Sequence, residues 1–166
     1  MALGDITIRQ PAGYFYPPAM RFRTEAGSTA ISAGEPVKLG GTGSNYAIRC
    51  IDGDPELAGG GSADTMIGVA ASTATHTATA DGVMDVLLPL GGVVFSARAL
   101  TVASIDTDAE LLGVLNDRVV LDLTGTAFTV DAAAGDSATN GIRIVGGDTG
   151  TGQVHFVFLQ RGNLFN

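Results

Sequence analysis

Tryptophan is absent from this 166-residue chain, cysteine and lysine occur once each, and histidine occurs twice. Each scarcity closes off a class of chemistry. A single cysteine, Cys50, excludes an intrachain disulfide and a multi-cysteine zinc site. Its apolar surroundings, Ala47 to Ile51, mark it as a small buried hydrophobe rather than a reactive thiol. Two histidines, His76 and His155, cannot build a histidine-rich metal centre within one chain. Nine lysines and arginines face seventeen aspartates and glutamates, for a net charge of −8. That balance argues against a nonspecific nucleic-acid binder, which needs many cations to neutralise phosphates. The arginines are scattered, and only Arg21 and Arg23 stand close together.

The N-terminus, MALGDITIRQ, has neither a basic region nor a long apolar stretch, so no secretory signal is expected. No apolar run approaches the roughly 18 residues of a membrane helix. The chain therefore reads as soluble and made in a cytoplasm.

What the chain does have is glycine (24 residues) and a 45% hydrophobic content with few charges. Enough apolar surface is available for a core, and the abundance of Gly, Thr, Val and Ala points to many short strands joined by tight turns. The expectation is a single mainly β domain over residues 27–166, preceded by an extended N-terminal arm over residues 1–26. In the arm, Pro11, Pro17 and Pro18 interrupt regular structure, while Tyr14, Phe15, Tyr16, Met20 and Phe22 are adhesive. Such a segment lies either on its own domain or on a neighbouring subunit.

From residue 27 the strand signals are regular. A turn at Ala33-Gly34 leads into a strand ending at Leu39. Gly40 to Asn45 forms a hairpin turn, and Tyr46 to Ile51 returns. Met66 to Ala71 is a short strand. Val83 to Leu90 is apolar on both faces, with Val83, Asp85 and Leu87 on one and Met84, Val86 and Leu88 on the other; such a strand is expected to be covered on both sides. Gly91-Gly92 turns the chain into a strand over 93–100. Thr107-Asp-Ala-Glu110 has capping-box spacing, so a short helix with a stripe of Leu111, Leu112 and Leu115 should follow. Strands are expected over 118–123 and 127–130. The last hairpin pairs 142–145 with 154–159 around a glycine-rich loop at 146–152, with Val154, Phe156 and Phe158 facing one way.

No catalytic residues, cofactor or metal are expected. His76, Asp81 and Asp85 fall in one stretch, yet no nucleophile elbow of the Gly-x-Ser-x-Gly type accompanies them. The loop at 146–152 lacks the Gly-Lys-Ser/Thr ending of a phosphate loop, and a strand rather than a helix follows it. Asp52, Asp54 and Glu56 alternate and offer the oxygen ligands that calcium takes, with a solvated turn as the competing reading.

In the order of its strands the chain resembles the bacteriophage head-decoration, or capsid cement, proteins, the family that includes the phage lambda head-decoration protein and longer cement proteins of tailed phages. The resemblance rests on Ile31-Ser-Ala-Gly-Glu-Pro-Val-Lys-Leu39, on Met66-Ile-Gly-Val-Ala-Ala71, on Thr75 to Val86, and on the terminal Gly141-Ile-Arg-Ile-Val-Gly-Gly. It covers about two-thirds of the chain, and the stretch Ala99 to Val120 departs from the shortest members. It implies a β-barrel or β-tulip-like domain that forms a homotrimer on the outer capsid surface of the virion, at threefold and quasi-threefold positions. The implied partner is the major capsid protein, with no nucleic acid and no membrane. The arm residues Tyr14, Phe15, Tyr16, Pro17, Pro18, Met20, Arg21, Phe22 and Arg23 are the expected capsid or subunit contacts. A tail or fibre component, another virion surface protein, or a carbohydrate-binding β-domain is the alternative.

Overall fold

Nine of the twelve described strands pair with a strand that is not their neighbour in the chain, and the chain's order hides that. The structure, a computed structural model, describes residues 6–9, 18–40, 42, 45–54, 66–90, 92–124 and 127–159.

The first sheet contains β2 (Ala19–Thr24), β3 (Pro36–Gly40), β4 (Tyr46–Arg49), β5 (Met66–Ala70) and β6 (Gly82–Leu87), in the order β2-β6-β5-β3-β4. The second contains β1 (Thr7–Ile8), β7 (Phe95–Arg98), β8 (Arg118–Val119), β11 (Ile142–Asp148) and β12 (Gln153–Phe158), in the order β1-β7-β12-β11-β8. A separate hairpin joins β9 (Leu121–Thr124) to β10 (Ala127–Val130). All ladders within the sheets are antiparallel. The protein is mainly β.

The expected single barrel is not what forms: two open sheets and a hairpin take its place. The first sheet does curl. Its outer strands would stand about 19 Å apart if it were flat, yet the Thr42 amide donates to the Glu25 carboxylate at 3.1 Å, linking the chain after β2 to the chain before β4. That link runs through side chains, and among the described residues no backbone ladder joins β2 to β4.

A bulge in β5 gives the first sheet two working faces. Val37 lies opposite Gly68 and Lys38 opposite Met66, which leaves Ile67 as the extra residue. Ile67 and Ala70 consequently join Ile31, Val37, Ala47, Met84, Val86 and Leu88 in one core cluster. Met66 and Val69 join the other cluster, with Cys50 and the inner face of the second sheet. Gly68 is required here: a Cβ on it would sit 2.0 Å from the Leu87 carbonyl oxygen, at a φ of +154°. Gly82 is also obligatory, because its Cβ would meet the His76 backbone nitrogen at 2.0 Å.

β6 corrects the expectation of a strand covered on both sides. Met84 and Val86 are buried, Asp85 and Leu87 are half-buried, and Val83 is exposed. Its second face is occupied by β2 side chains and solvent. The apolar letters at 83 and 87 flank a cross-strand ion pair rather than a core.

The second sheet builds its inner face chiefly from the alternation of β12, while β11 carries a bulge at Val145. Val154, Phe156 and Phe158 point inward, as expected; the Phe156 ring stacks on Phe95, and the Phe158 ring meets both edge-on. Burying each such side chain stabilises the fold by about 1.5–3 kcal/mol. β11 runs on through Gly146, Gly147 and Asp148, so the expected loop shrinks to a turn ending at Gly152. The expected strand over 118–123 is two strands: Arg118–Val119 pairs with β11 and Leu121–Thr124 with β10, and the chain changes partner at Val120. Helix α1 (Asp108–Val114) has the expected capping box, with Thr107 and Glu110 bonding reciprocally. Its stripe is Leu111, Val114 and Leu115, while Leu112 is 67% exposed. At 100° per residue Leu112 stands well away from Leu111, whereas Val114 and Leu115 return to it.

Candidate interaction surface

The described parts of the N-terminal segment lie on their own sheets. β1 pairs with β7 through Thr7 and Ser96, and Ile6 beside it is buried in the second core cluster. β2 forms an outer strand of the first sheet, paired residue by residue with β6. Tyr14, Phe15, Tyr16 and Pro17 lie outside the described residues.

Alternation along β2 divides the remaining expected contact residues between two faces. Phe22, opposite Met84, packs against the first core cluster, and Met20 on the same face is 46% exposed. Arg21 and Arg23 point to the other face. The carbonyl oxygen of Pro18 accepts a hydrogen bond from the Leu88 amide at 3.0 Å, which fixes where β2 begins.

Both arginines are matched. Arg21 lies directly opposite Asp85 and grips it through two bonds, Nε to Oδ1 at 3.0 Å and Nη2 to Oδ2 at 3.3 Å. That fork holds the Asp85 carboxyl below the usual carboxylate range and raises the Arg21 guanidinium. Arg23 donates to Asp81 Oδ2 at 2.8 Å and stacks over the Tyr46 ring at 5.0 Å. Tyr46 donates its hydroxyl to the same oxygen at 3.0 Å, and the Ala26 amide donates to Asp81 Oδ1 at 3.0 Å. The Ala26 amide is the main cause of the lowered Asp81 carboxyl, followed by the Tyr46 hydroxyl. The bond to Asp81 in turn raises the Tyr46 phenol. Both oxygens of Asp81 accept bonds from fixed donors, so this carboxylate organises a surface rather than taking a proton from a substrate.

The histidine and aspartates of the 76–85 stretch are not brought together as a catalytic set. His76 Nε2 lies 3.3 Å from Ser28 Oγ and 3.2 Å from the Ser28 carbonyl oxygen. Its Nδ1 is buried without a hydrogen-bond partner, so no carboxylate orients the ring. The contact joins the segment at 76 to the turn after β2.

The acidic alternation at 52–56 is likewise structural where it is described. Asp54 is buried, 2.9 Å from Lys38 Nζ, and accepts the Ile51 amide at 2.6 Å. Asp52 accepts the Leu123 amide at 3.1 Å, and backbone bonds link Gly53 to Leu121 and Leu121 to Asp54. This turn therefore zips the first sheet to the β9–β10 hairpin. Glu56 lies outside the described residues. Among the described residues no three His, Cys, Asp or Glu side chains converge as a metal site, and no helix is long and apolar enough to cross a membrane. A shallow groove of about 290 Å³ opens between β7 and β10, lined by Arg98, Leu100, Val102 and Thr129 among others.

Sequence reasoning named Arg21 and Arg23 but missed their partners. The signal was present: two arginines at alternate positions and two acids, Asp81 just before and Asp85 within a strand of matching length. Comparison of the chain with protein-family models, with curated proteins and with solved structures finds no match in any of the three.

Proposed function

We propose that this protein is a structural decoration, or cement, protein of a tailed-phage head. In this reading it binds the outer capsid surface as a homotrimer at threefold and quasi-threefold positions and bridges neighbouring major capsid proteins against the pressure of packaged DNA. The observation that carries the reading is the sheet edge at β2. The proline- and aromatic-rich stretch before it enters directly on an outer strand of an open sheet. Side-chain links to Thr42 and Tyr46 cover this edge at Arg23 and Glu25, so it is toward Ala19 that such an edge accepts or donates a further strand, with main-chain bonds giving affinity and aromatic side chains giving anchors. The ordered Arg21–Asp85 and Arg23–Asp81–Tyr46 pairs stiffen the outward face beside that edge. Many weak contacts repeated around a shell gain strength from multivalency, and the net charge of −8 keeps such a layer from binding DNA.

Because Ile6, β1 and β2 belong to the two sheets, removing the whole N-terminal segment would damage the fold. The test is immunogold labelling of the phage particles from the lysate that contains this protein, with its ratio to the shell protein measured on gels. Gold on heads at a fixed ratio is expected. Gold on tails would replace this reading with a tail or fibre role. Unlabelled particles together with glycan binding would replace it with a carbohydrate-binding role.

A further inference from the structure

Five described cations are matched to carboxylates: Arg21, Arg23, Lys38, Arg49 and Arg118. Arg9, Arg98 and Arg143 are not, and all three stand on one face of the second sheet. The register shows it. Phe95, Ala97, Val154, Phe156, Ile142 and Ile144 fill the inner core, so the alternate positions point outward. Arg98 and Arg143 occupy such positions. Arg9 follows two residues after Thr7, which is opposite the outward Ser96, and its amide bonds the Val94 carbonyl at 2.8 Å. Extending the ladders by one rung places Arg9, Val94, Val157, Arg143 and Arg118 in a single row across all five strands. The row has guanidinium groups outside any ion pair among the described residues at Arg9 and Arg143, the second near enough to Asp136 to help lower its carboxyl, and half-buried valines between them, with Val145 next to it 42% exposed. Among the described residues Asp148 and Asp136 bring negative charge to this face; the first caps its own turn and the second is held by Arg118, with Arg143 nearby.

A cationic apolar ledge on a chain of net charge −8 needs an acidic occupant with an apolar centre, and the chain itself carries one. Asp106, Asp108 and Glu110 follow one another at alternate positions, none in an ion pair among the described residues, and Glu110 is close enough to Asp106 to raise its carboxyl. Leu112 lies four residues after Asp108, on the same side of α1, and is the most exposed large hydrophobic residue among those described. α1 cannot reach its own ledge: Leu111, Val114 and Leu115 dock it on the inner core, with Leu111 against Gly147.

We infer that a second copy of this chain docks the Asp106–Asp108–Leu112 edge of α1 on the outer face of the second sheet, with its carboxylates against Arg9 and Arg143 and Leu112 among Val94, Val145 and Val157. The two surfaces differ, so the contact is heterologous and closes into a ring or propagates. The inference deepens the homo-oligomeric part of the reading above, but it concerns the free protein without any capsid.

The experiment is light scattering of the purified full chain at about 0.05 M and about 1 M salt, since screening over a few ångströms at the higher value weakens an exposed charge contact. An oligomer that dissociates at high salt is expected. Arg9→Glu with Arg143→Glu, and separately Asp106→Lys with Asp108→Lys, should each weaken association about a hundredfold, because like charges then face one another. Mixing the two charge-reversed variants should restore association at the contacts between unlike copies, which shows that each remains folded. A wild-type monomer at all concentrations would overturn the inference, as would an oligomer that neither variant disturbs, or variants that fail to associate when mixed. Oligomers that form by this contact but leave phage heads unlabelled would instead sink only the capsid reading.

Discussion

The two five-stranded sheets solve the same problem with opposite use of charge. The first draws ion pairs into its seam: Lys38 and Asp54 are both almost wholly buried, and Arg49 reaches Glu35 at 2.9 Å while stacking over Phe128 of the hairpin. The second keeps its interior apolar, around Phe95, Phe156 and Phe158, and sends its arginines outward. Apolar packing is tolerant of detail, whereas a buried ion pair is strict about geometry and punishes a missing partner. The pairs sit where β3, β4 and the turn at 51–54 must meet the hairpin in one register. The sheet without them has the apolar alternation of β12 to set its register instead, with one bulge at Val145 on β11.

The sharpest way to break this contrast is Asp54→Ala. It leaves the Lys38 ammonium buried without its carboxylate and also removes the acceptor of the Ile51 amide. A loss of about 3–5 kcal/mol is expected in denaturant titration. Combining Lys38→Met with Asp54→Leu should recover much of that loss, because the cost lies in a buried charge stripped of the Asp54 carboxylate rather than in the pair. A single variant as stable as the wild type would show that the seam is held by something else.

A smaller effect tests the bulge that lets β5 serve both clusters. Gly68→Ala pushes a methyl group against the Leu87 backbone, which cannot rotate away as a side chain could. Overpacking of this kind costs about 1–3 kcal/mol. The damage should centre on the first sheet, so hydrogen exchange should quicken in β5 and β6 before β11 and β12. Uniform loosening of both sheets would mean that they do not differ in this respect.

How much of this was legible depended on whether the deciding contact was local. The final hairpin was readable because Val154, Phe156 and Phe158 alternate without interruption, and the capping box because Thr107 and Glu110 stand three residues apart. β6 was misread because Val83 and Leu87 look like core letters. Their environment is set by β2, about sixty residues earlier in the chain, and by Arg21, which claims Asp85 between them. The division into two sheets was invisible for the same reason: Thr7 pairs with Ser96, and strand 118–123 changes partner at Val120 with no glycine or proline to mark the corner. Of the candidate surface, composition located the arm residues, but only folding showed that Phe22 turns inward and Arg21 and Arg23 outward.

The smallest expected effect separates the sheets by pH. His155, on the outer face of the second sheet, has its ionisation pushed below the usual imidazole value, first by burial and then by Arg9, against an opposing pull from Asp148. Its Nε2 is buried without a hydrogen-bond partner. A histidine whose folded value lies below its unfolded one, about 6.5, is held neutral by the fold. Its share of stability is complete above that value and drains away as pH falls through it, because the unfolded chain binds the proton more readily. The carboxylates define a lower window, which the first sheet shares with Asp136, lowered to about 2 by Arg118 of β8. Asp81 and Asp85 are held below the usual carboxylate range by their donors, so their share persists down to the ordinary aspartate value and is lost only below it. Stability measured against pH should therefore fall in two separate windows, and His155→Asn should abolish the upper one while leaving the lower intact. Arg9→Ala should move the imidazole titration, followed by NMR, part of the way back toward its usual value. A His155 that titrates at or above 6.5 in the wild-type protein would remove the upper window, and with it this distinction between the sheets.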